Sequence, residues 1–220
     1  MITDVKKDKD EKQDELRKLM KEMFRNYFKT HSRNWVKIEL SEEDVRMARD
    51  FTEKKCRAKL KEEVYQRDGD NLLTRGYTGS YAEFALQTYL RNLIGLPDFV
   101  DTRIGESKDF DVPDIPAINM GIKAVEWNKL PVVPIKNRNK YPQIICIVDK
   151  LIESKPVVYI CGVADPHILD EYQSEDYILD ENLRNRHVKA GFYGFEHLRH
   201  IDTLKDESPL QLTIQTKKIR

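Results

Sequence analysis

Apolar residues in the first part of the chain recur every three or four positions, which is the period of an amphipathic helix. Residues 4–30 follow this pattern among many charges and are predicted to form one long helix. A second charged helix is predicted over residues 41–63, opening on a Ser-Glu-Glu-Asp sequence typical of a helix N-cap. A third helix is predicted over residues 80–92, after Gly76 and Gly79 break the chain.

The pattern changes after the third helix, where short apolar runs replace the helical period. Residues 143–148 and 156–163 are continuous apolar runs, as expected for strands buried on both faces, and the short link between them favours an antiparallel hairpin. Further strands are predicted over residues 99–104 and 117–127, and a short helix over residues 167–172. This order of elements predicts an α/β core that carries an N-terminal helical layer.

Composition narrows the class of protein. The 220 residues fit an N-terminal helical extension, residues 1–70, followed by one α/β core, residues 71–220. The formal net charge is zero, so contact with a polyanion such as DNA must come from local basic patches.

The three cysteines form no CxxC pair, which argues against a zinc or iron–sulfur site. Because no apolar run reaches about 18 residues, the chain is expected to be soluble and cytoplasmic, without a membrane partner.

Three residues have the side-chain chemistry of a metal-dependent hydrolase. Glu83 lies in the third predicted helix, Asp114 precedes the predicted strand 117–127, and Lys123 lies inside that strand. Carboxylates are oxygen ligands for Mg²⁺ or Mn²⁺, and such a metal lowers the pKa of its bound water and offsets the charge of a phosphate. A lysine within reach can orient that water and stabilise developing negative charge. Together the three residues predict a site able to hydrolyse a phosphodiester.

Each of these residues also has a purely structural interpretation. Glu83 can complete a capping box with Ser80, and Asp114 can be a turn residue. Lys123 is harder to explain structurally, because a lysine inside an apolar strand is costly unless it is paired.

The two charged N-terminal helices can be interpreted in two ways. They can pack on each other or on a partner subunit, which their amphipathic pattern favours. Alternatively, the second helix presents a basic face to DNA, formed by Lys54, Lys55, Arg57, Lys59 and Lys61.

Two local basic clusters later in the chain are candidates for contacts with DNA phosphates, with solvated loops as the structural alternative. Their members are Lys136, Arg138, Lys140, Arg184, Arg186 and Lys189. The chain contains no GxGxxG, Walker or GxSxG motif, so nucleotide-binding and hydrolase-elbow folds are not expected.

The order of these motifs resembles that of the PD-(D/E)XK nuclease superfamily, and of its small phage-type or resolvase-like members in particular. The likeness covers about residues 71–201 and rests on short motifs: GxxGSxAE ending at Glu83, DVPD ending at Asp114, the apolar strand with Lys123, and the later LPVVP, YPQIICIV and VYICGV segments. It implies a restriction-endonuclease-like core with a central mixed β-sheet flanked by helices. It also implies a metal-dependent DNA endonuclease that uses Mg²⁺ or Mn²⁺.

The resemblance assigns a metal-binding role to Asp114 and the catalytic lysine to Lys123, with Glu83 completing the ligand set. The family has a second acid two residues before the lysine, where this chain has Gly121. That departure leaves the metal short of one ligand.

Glu126 is a candidate substitute for the missing acid. Its odd offset from Lys123 places it on the opposite face of a regular strand. In a second register, Glu126 is the family acid and Asn128 stands in the lysine's place, beside Lys129. The first register is preferred because it keeps a lysine.

Three functions follow from this pattern. The first is a DNA endonuclease, for which cutting both strands favours a homodimer with two sites. The second is a catalytically inactive relative that binds DNA or a protein partner. The third is an interaction protein that uses its charged helices and does not touch nucleic acid.

Overall fold

The computed structural model of the protein describes residues 2–59, 69–100, 113–131, 133–135, 141–150, 155–171, 189–191 and 194–206. Its helices and strands in chain order are α1 (Ile2–His31), β1 (Val36–Glu39), α2 (Glu42–Lys59), α3 (Gly69–Ile94), β2 (Gly121–Glu126), β3 (Val133–Ile135), β4 (Gln143–Asp149), β5 (Val157–Ala164), α4 (Pro166–Glu171) and β6 (Lys189–Gly191). Helices α1, α2 and α4 confirm the helical predictions at their positions. None of the helices in these described ranges is both long and apolar enough to span a membrane.

A four-stranded mixed sheet with the strand order β1-β5-β4-β2 forms the centre of the protein. Strands β2 and β4 are parallel, whereas β5 is antiparallel to both β4 and β1. The pairing of β4 with β5 confirms the predicted hairpin, and the unbroken buried run within β4 confirms a strand covered on both faces. Strands β3 and β6 form a separate antiparallel pair.

Two hydrophobic clusters cover the two faces of the central sheet. Ile144 of β4 belongs to the cluster that contains residues of α2 and α3, such as Leu86. Its neighbour Ile145 belongs to the other cluster, which contains Phe24 of α1. Because side chains alternate along a strand, α1 covers one face of the sheet and α3 the other. The fold is therefore α/β, with a mixed sheet flanked by helices, and chain segments on both sides of residue 70 contribute to it.

Helix α3 is longer than predicted, because Gly76 and Gly79 lie inside a continuous helix instead of breaking the chain. At Gly76 a Cβ atom would lie 2.6 Å from Thr52 Cγ2 of α2, so the glycine allows the two helices to approach closely. The alternative interpretation of Ser80 and Glu83 as a capping box is wrong for the same reason. Ser80 is in mid-helix, and its Oγ accepts a hydrogen bond of 2.7 Å from Thr52 Oγ1.

Strand β2 is shorter than the predicted strand over residues 117–127. Pro116–Ile118 forms a 3-10 turn, and Asn119 has a left-handed φ of 54°, so the strand starts only at Gly121. Of the strand predicted over residues 99–104, only the first two residues are described, and they are not in a strand. The rest of that prediction lies outside the described residues.

The two glycines of α3 form a matched pair for substitution. Gly76→Ala is expected to lower the free energy of unfolding by about 1–2 kcal/mol, because the new methyl group overlaps Thr52 in a packed contact. Gly79→Ala is expected to raise it by up to about 1 kcal/mol, because a Cβ atom there meets no heavy atom within 4 Å and alanine has the higher helix propensity. Urea denaturation of both variants measures the difference. Shifts of the same sign and size would contradict the close helix crossing at Gly76.

Candidate functional site

Asp114 is held at the entrance of strand β2. Ile115 and Met120 exchange two backbone hydrogen bonds of 2.8 and 3.2 Å, which close the loop between them. The side chain of Asp114 contacts the strand itself, because its Oδ2 accepts a hydrogen bond of 2.6 Å from the Ile122 N–H. Although Asp114 is exposed as a residue, one carboxylate oxygen is therefore directed to the protein backbone.

Glu83 of α3 lies close enough to Asp114 for the charge of Asp114 to act on the Glu83 carboxyl group. Burial raises the pKa of Glu83 to about 7; Lys55 opposes this rise and Asp114 adds to it. Burial also raises the pKa of Asp114, against the lowering effects of the Ile122 N–H and of Lys55. A charge on Asp114 disfavours the ionised form of the buried Glu83, and a divalent cation bound between them would relieve that repulsion. This pair is the strongest candidate for a cation site.

The lysine that acts on both carboxyl groups is Lys55 of α2. Its Nζ lies 5.2 Å from the ring centroid of Phe51, one turn earlier in the same helix. The sequence placed Lys55 only within a general basic face of the second helix. Its position beside Glu83 follows from the packing of α2 against α3, which the residue pattern of either helix does not contain.

Lys123 lies in a different electrostatic environment from the acidic pair. Its strand neighbours Ile122 and Ala124 pack against the cluster that includes α3, whereas Val125 packs against the α1 cluster. By alternation Lys123 shares the face of Val125. Burial lowers the pKa of the Lys123 amine, and Arg75 of α3 lowers it further. The structure thus groups Lys55 with the acidic pair, and Lys123 with Arg75.

Glu126, the candidate extra acid, is the last residue of β2 and forms ion pairs with two lysines. Its carboxylate lies 3.1 Å from Lys129 Nζ and 3.9 Å from Lys150 Nζ. Lys150 Nζ also donates a hydrogen bond of 2.7 Å to the Thr74 carbonyl of α3. Within the described ranges, no three His, Cys, Asp or Glu side chains form a group that could hold a metal. The acidic pair therefore gains no third carboxylate there.

Position 121, where the resemblance predicts an acid, is covered by a side chain of the neighbouring strand. Gly121 pairs with Gln143 in the parallel register of β2 and β4. A Cβ atom on Gly121 would overlap the side-chain amide of Gln143, so any larger residue requires Gln143 to move. The amide occupies the space that the missing acid would use.

Most of the predicted DNA-contact residues cannot be placed. Lys136, Arg138, Lys140, Arg184 and Arg186 lie outside the described residues. Lys189 is the first residue of β6, and its backbone pairs with Ile135 of β3.

Comparisons of the chain with protein-family models, with curated proteins and with solved structures find no match. The class that the fold defines is an α/β protein with a four-stranded mixed sheet flanked by helices.

Proposed function

We propose that the protein is a metal-dependent DNA endonuclease with a restriction-endonuclease-like core, in which Glu83 and Asp114 hold a Mg²⁺ or Mn²⁺ ion. The observation that supports this proposal is that Asp114, held at the start of β2, acts on the buried carboxyl group of Glu83, which comes from a distant segment of the chain. A buried acid with a second negative charge nearby lowers stability when it is ionised. Acids whose pKa is raised in this way cluster at functional sites, which favours a catalytic interpretation.

Each side chain of the site would have a defined task. When bound, the cation supplies an activated water and offsets charge on the phosphate. Glu83 and Asp114 would bind it through their ionised oxygens. Lys55, the amine that acts on both acids, would stabilise negative charge developing on the phosphate, the task that the family resemblance gives to Lys123.

The proposal is tested by incubating supercoiled plasmid DNA with the purified protein. With Mg²⁺ or Mn²⁺ the plasmid is expected to become nicked and then linear, because an endonuclease cuts inside a closed circle. In EDTA the plasmid should stay supercoiled. Intact plasmid with every divalent cation, at protein concentrations that bind DNA, would contradict the enzyme.

An inactive nuclease-fold module that binds DNA or a protein partner is the second candidate. It is favoured by the covered position at Gly121, since the Gln143 amide stands where an acid would be needed. Binding of DNA without cleavage in the same assay would support this candidate. The homodimer belongs to the enzyme proposal, because two sites are needed to cut two strands.

A further inference from the structure

The side chain of Gln143 extends over β2 on the face of the sheet that α1 covers. Ile145 of β4 belongs to the hydrophobic cluster on that face, and its partner in the parallel register is Lys123. Two residues earlier in the same register, Gly121 pairs with Gln143, so both strands present these positions on the α1 face. A Cβ atom at Gly121 would overlap the side-chain amide of Gln143, which shows that the amide lies over the glycine.

The Lys123 side chain is the next one along β2 on the same face. Consecutive positions on one face of a strand are about 6.6 Å apart, twice the rise per residue. The Gln143 amide stands where the Cβ atom of Gly121 would be, so an amide and a flexible amine are neighbours there. Neither side chain makes a hydrogen bond or an ion pair within the part of the chain that the structure describes. We call these two side chains the Lys123–Gln143 pair.

The surroundings of the Lys123–Gln143 pair favour an anionic ligand. Burial lowers the pKa of the Lys123 amine, Arg75 lowers it further, and no described acid raises it. Ile145 and Val125, on the same face, are part of the apolar cluster or pack against it. Polar groups in such surroundings cost free energy until they are hydrogen-bonded, and an ammonium group repels a cation. Both members of the pair are partly exposed, so a ligand can reach them from solvent.

We propose that the Lys123–Gln143 pair binds a phosphate group on the sheet face opposite α3. The Lys123 ammonium supplies the charge, and the amide nitrogen of Gln143 donates a hydrogen bond to another oxygen of the same group. A phosphate offers three acceptor oxygens and up to two negative charges, whereas a carboxylate has two oxygens and one charge. The site is separate from Glu83 and Asp114, and the inference does not rest on the proposed nuclease function.

The glycine at position 121 supports this assignment. An acid there, as the resemblance predicts, would stand beside Lys123 on the same face and would pair with its amine. Glycine leaves the amine without an internal counter-ion and gives the Gln143 amide room to extend over β2. The same substitution that removes a metal ligand thus creates a place for an external anion.

The test measures how fast each lysine of the wild type is acetylated by a limited amount of N-hydroxysuccinimidyl acetate, followed by mass spectrometry of peptides. An amine reacts in its unprotonated form, so Lys123 should react readily. Inorganic phosphate at about ten times its Kd should slow Lys123 about tenfold, because only the free site reacts. The reference is chloride at the same ionic strength. Lys54, an exposed lysine of α2, should react equally in both salts.

Two variants test the amide separately from the amine. Gln143→Leu removes the amide but keeps a side chain of similar size, so Lys123 should still be acetylated in chloride. Its Kd for phosphate should rise about tenfold or more, as expected for a lost hydrogen bond to a charged group. Gly121→Ala should have the same effect, because its methyl group displaces the amide, the far end of a flexible side chain. Gly79→Ala, in α3, is the matched control and should leave the protection unchanged.

The source of the phosphate is identified by comparing inorganic phosphate with duplex DNA of the same phosphate content. Protection by both indicates a free phosphate group, and protection by DNA alone indicates a DNA backbone. Unchanged acetylation of Lys123 in either ligand would overturn the site, as would equal protection by acetate or full protection in Gln143→Leu. Cleavage of DNA enters none of these measurements, so the nuclease can fail while the phosphate site stands, and the reverse.

Discussion

Replacing Asp114 with asparagine is expected to lower the rate of metal-dependent DNA cleavage by roughly a thousandfold, or about 4 kcal/mol in the barrier. Asparagine keeps the size of the side chain and an oxygen that can accept the hydrogen bond from Ile122. It removes the negative charge that a hard divalent cation requires from its ligand. The measurement is the single-turnover rate of cleavage of a labelled duplex over a range of Mn²⁺ concentrations.

The control for Asp114→Asn is Asp14→Asn, at an exposed position of α1, where the carboxylate pairs only with Arg17 among the described residues. Helix α1 covers the sheet face opposite α3, so this change should leave cleavage unaffected. A folded Asp114→Asn variant that cleaves at the wild-type rate would remove Asp114 from the site.

The same assay identifies the lysine that serves the site. Lys55→Met should slow cleavage by about a hundredfold or more, because it removes the positive charge that acts on both acids. Lys54→Met is the matched control, since Lys54 is an exposed neighbour whose Nζ is paired with Asp50 at 2.5 Å. Equal rates for the two variants would return the catalytic role to Lys123 or to another group.

Replacing Glu83 with glutamine is expected to stabilise the metal-free protein at about pH 8 by up to about 3 kcal/mol. In the folded state the pKa of Glu83 is raised from the ordinary value of 4.5 to about 7 by burial. Between these two values the folded state binds more protons than the unfolded state, so stability falls as the pH rises. The full penalty of the buried charge is present above about pH 7 and absent below the ordinary value. Glutamine is neutral at every pH and avoids it.

Urea denaturation of the wild type and Glu83→Gln at a series of pH values measures this gap, which should close towards pH 4.5, the ordinary pKa of a glutamate. Glu22→Gln, at an exposed position of α1, controls for the loss of one negative charge. Mn²⁺ should raise the melting temperature of the wild type but not of Glu83→Gln, because the cation binds only the native ionised site. A stability gap that is the same at every pH would show that Glu83 is well hydrated.

Sequence patterns predicted best those elements that are buried in a regular way along their whole length. The amphipathic period of α1 and the unbroken apolar run of β4 report burial directly, and both predictions are confirmed. Strand β1, with only four residues of alternating burial, was not predicted, because so short a pattern also fits a loop. The parallel pairing of β2 with β4 likewise depends on partners that no local pattern identifies.

For the candidate site, the sequence identified the residue types but not the residues with which they interact. Glu83 and Asp114 were chosen as carboxylates able to bind a hard cation, and in the structure Asp114 acts on the pKa of Glu83. Lys123 was chosen because it stands in an apolar strand, yet the charge that acts on it is Arg75. Arg75 had no signal in the sequence, because the third helix was predicted to start after it.

By itself, the order of residues determined the helices with a clear amphipathic period and the two strands buried on both faces, and it singled out Glu83 and Asp114 as candidate ligands. Only the tertiary structure decided that α3 continues through Gly76, that Lys55 lies beside the acids, and that Gly79 faces open space. The physical reason is that periodicity records how a segment is exposed to water. A glycine's tolerance and a lysine's partner depend instead on contacts between segments that are distant in the chain.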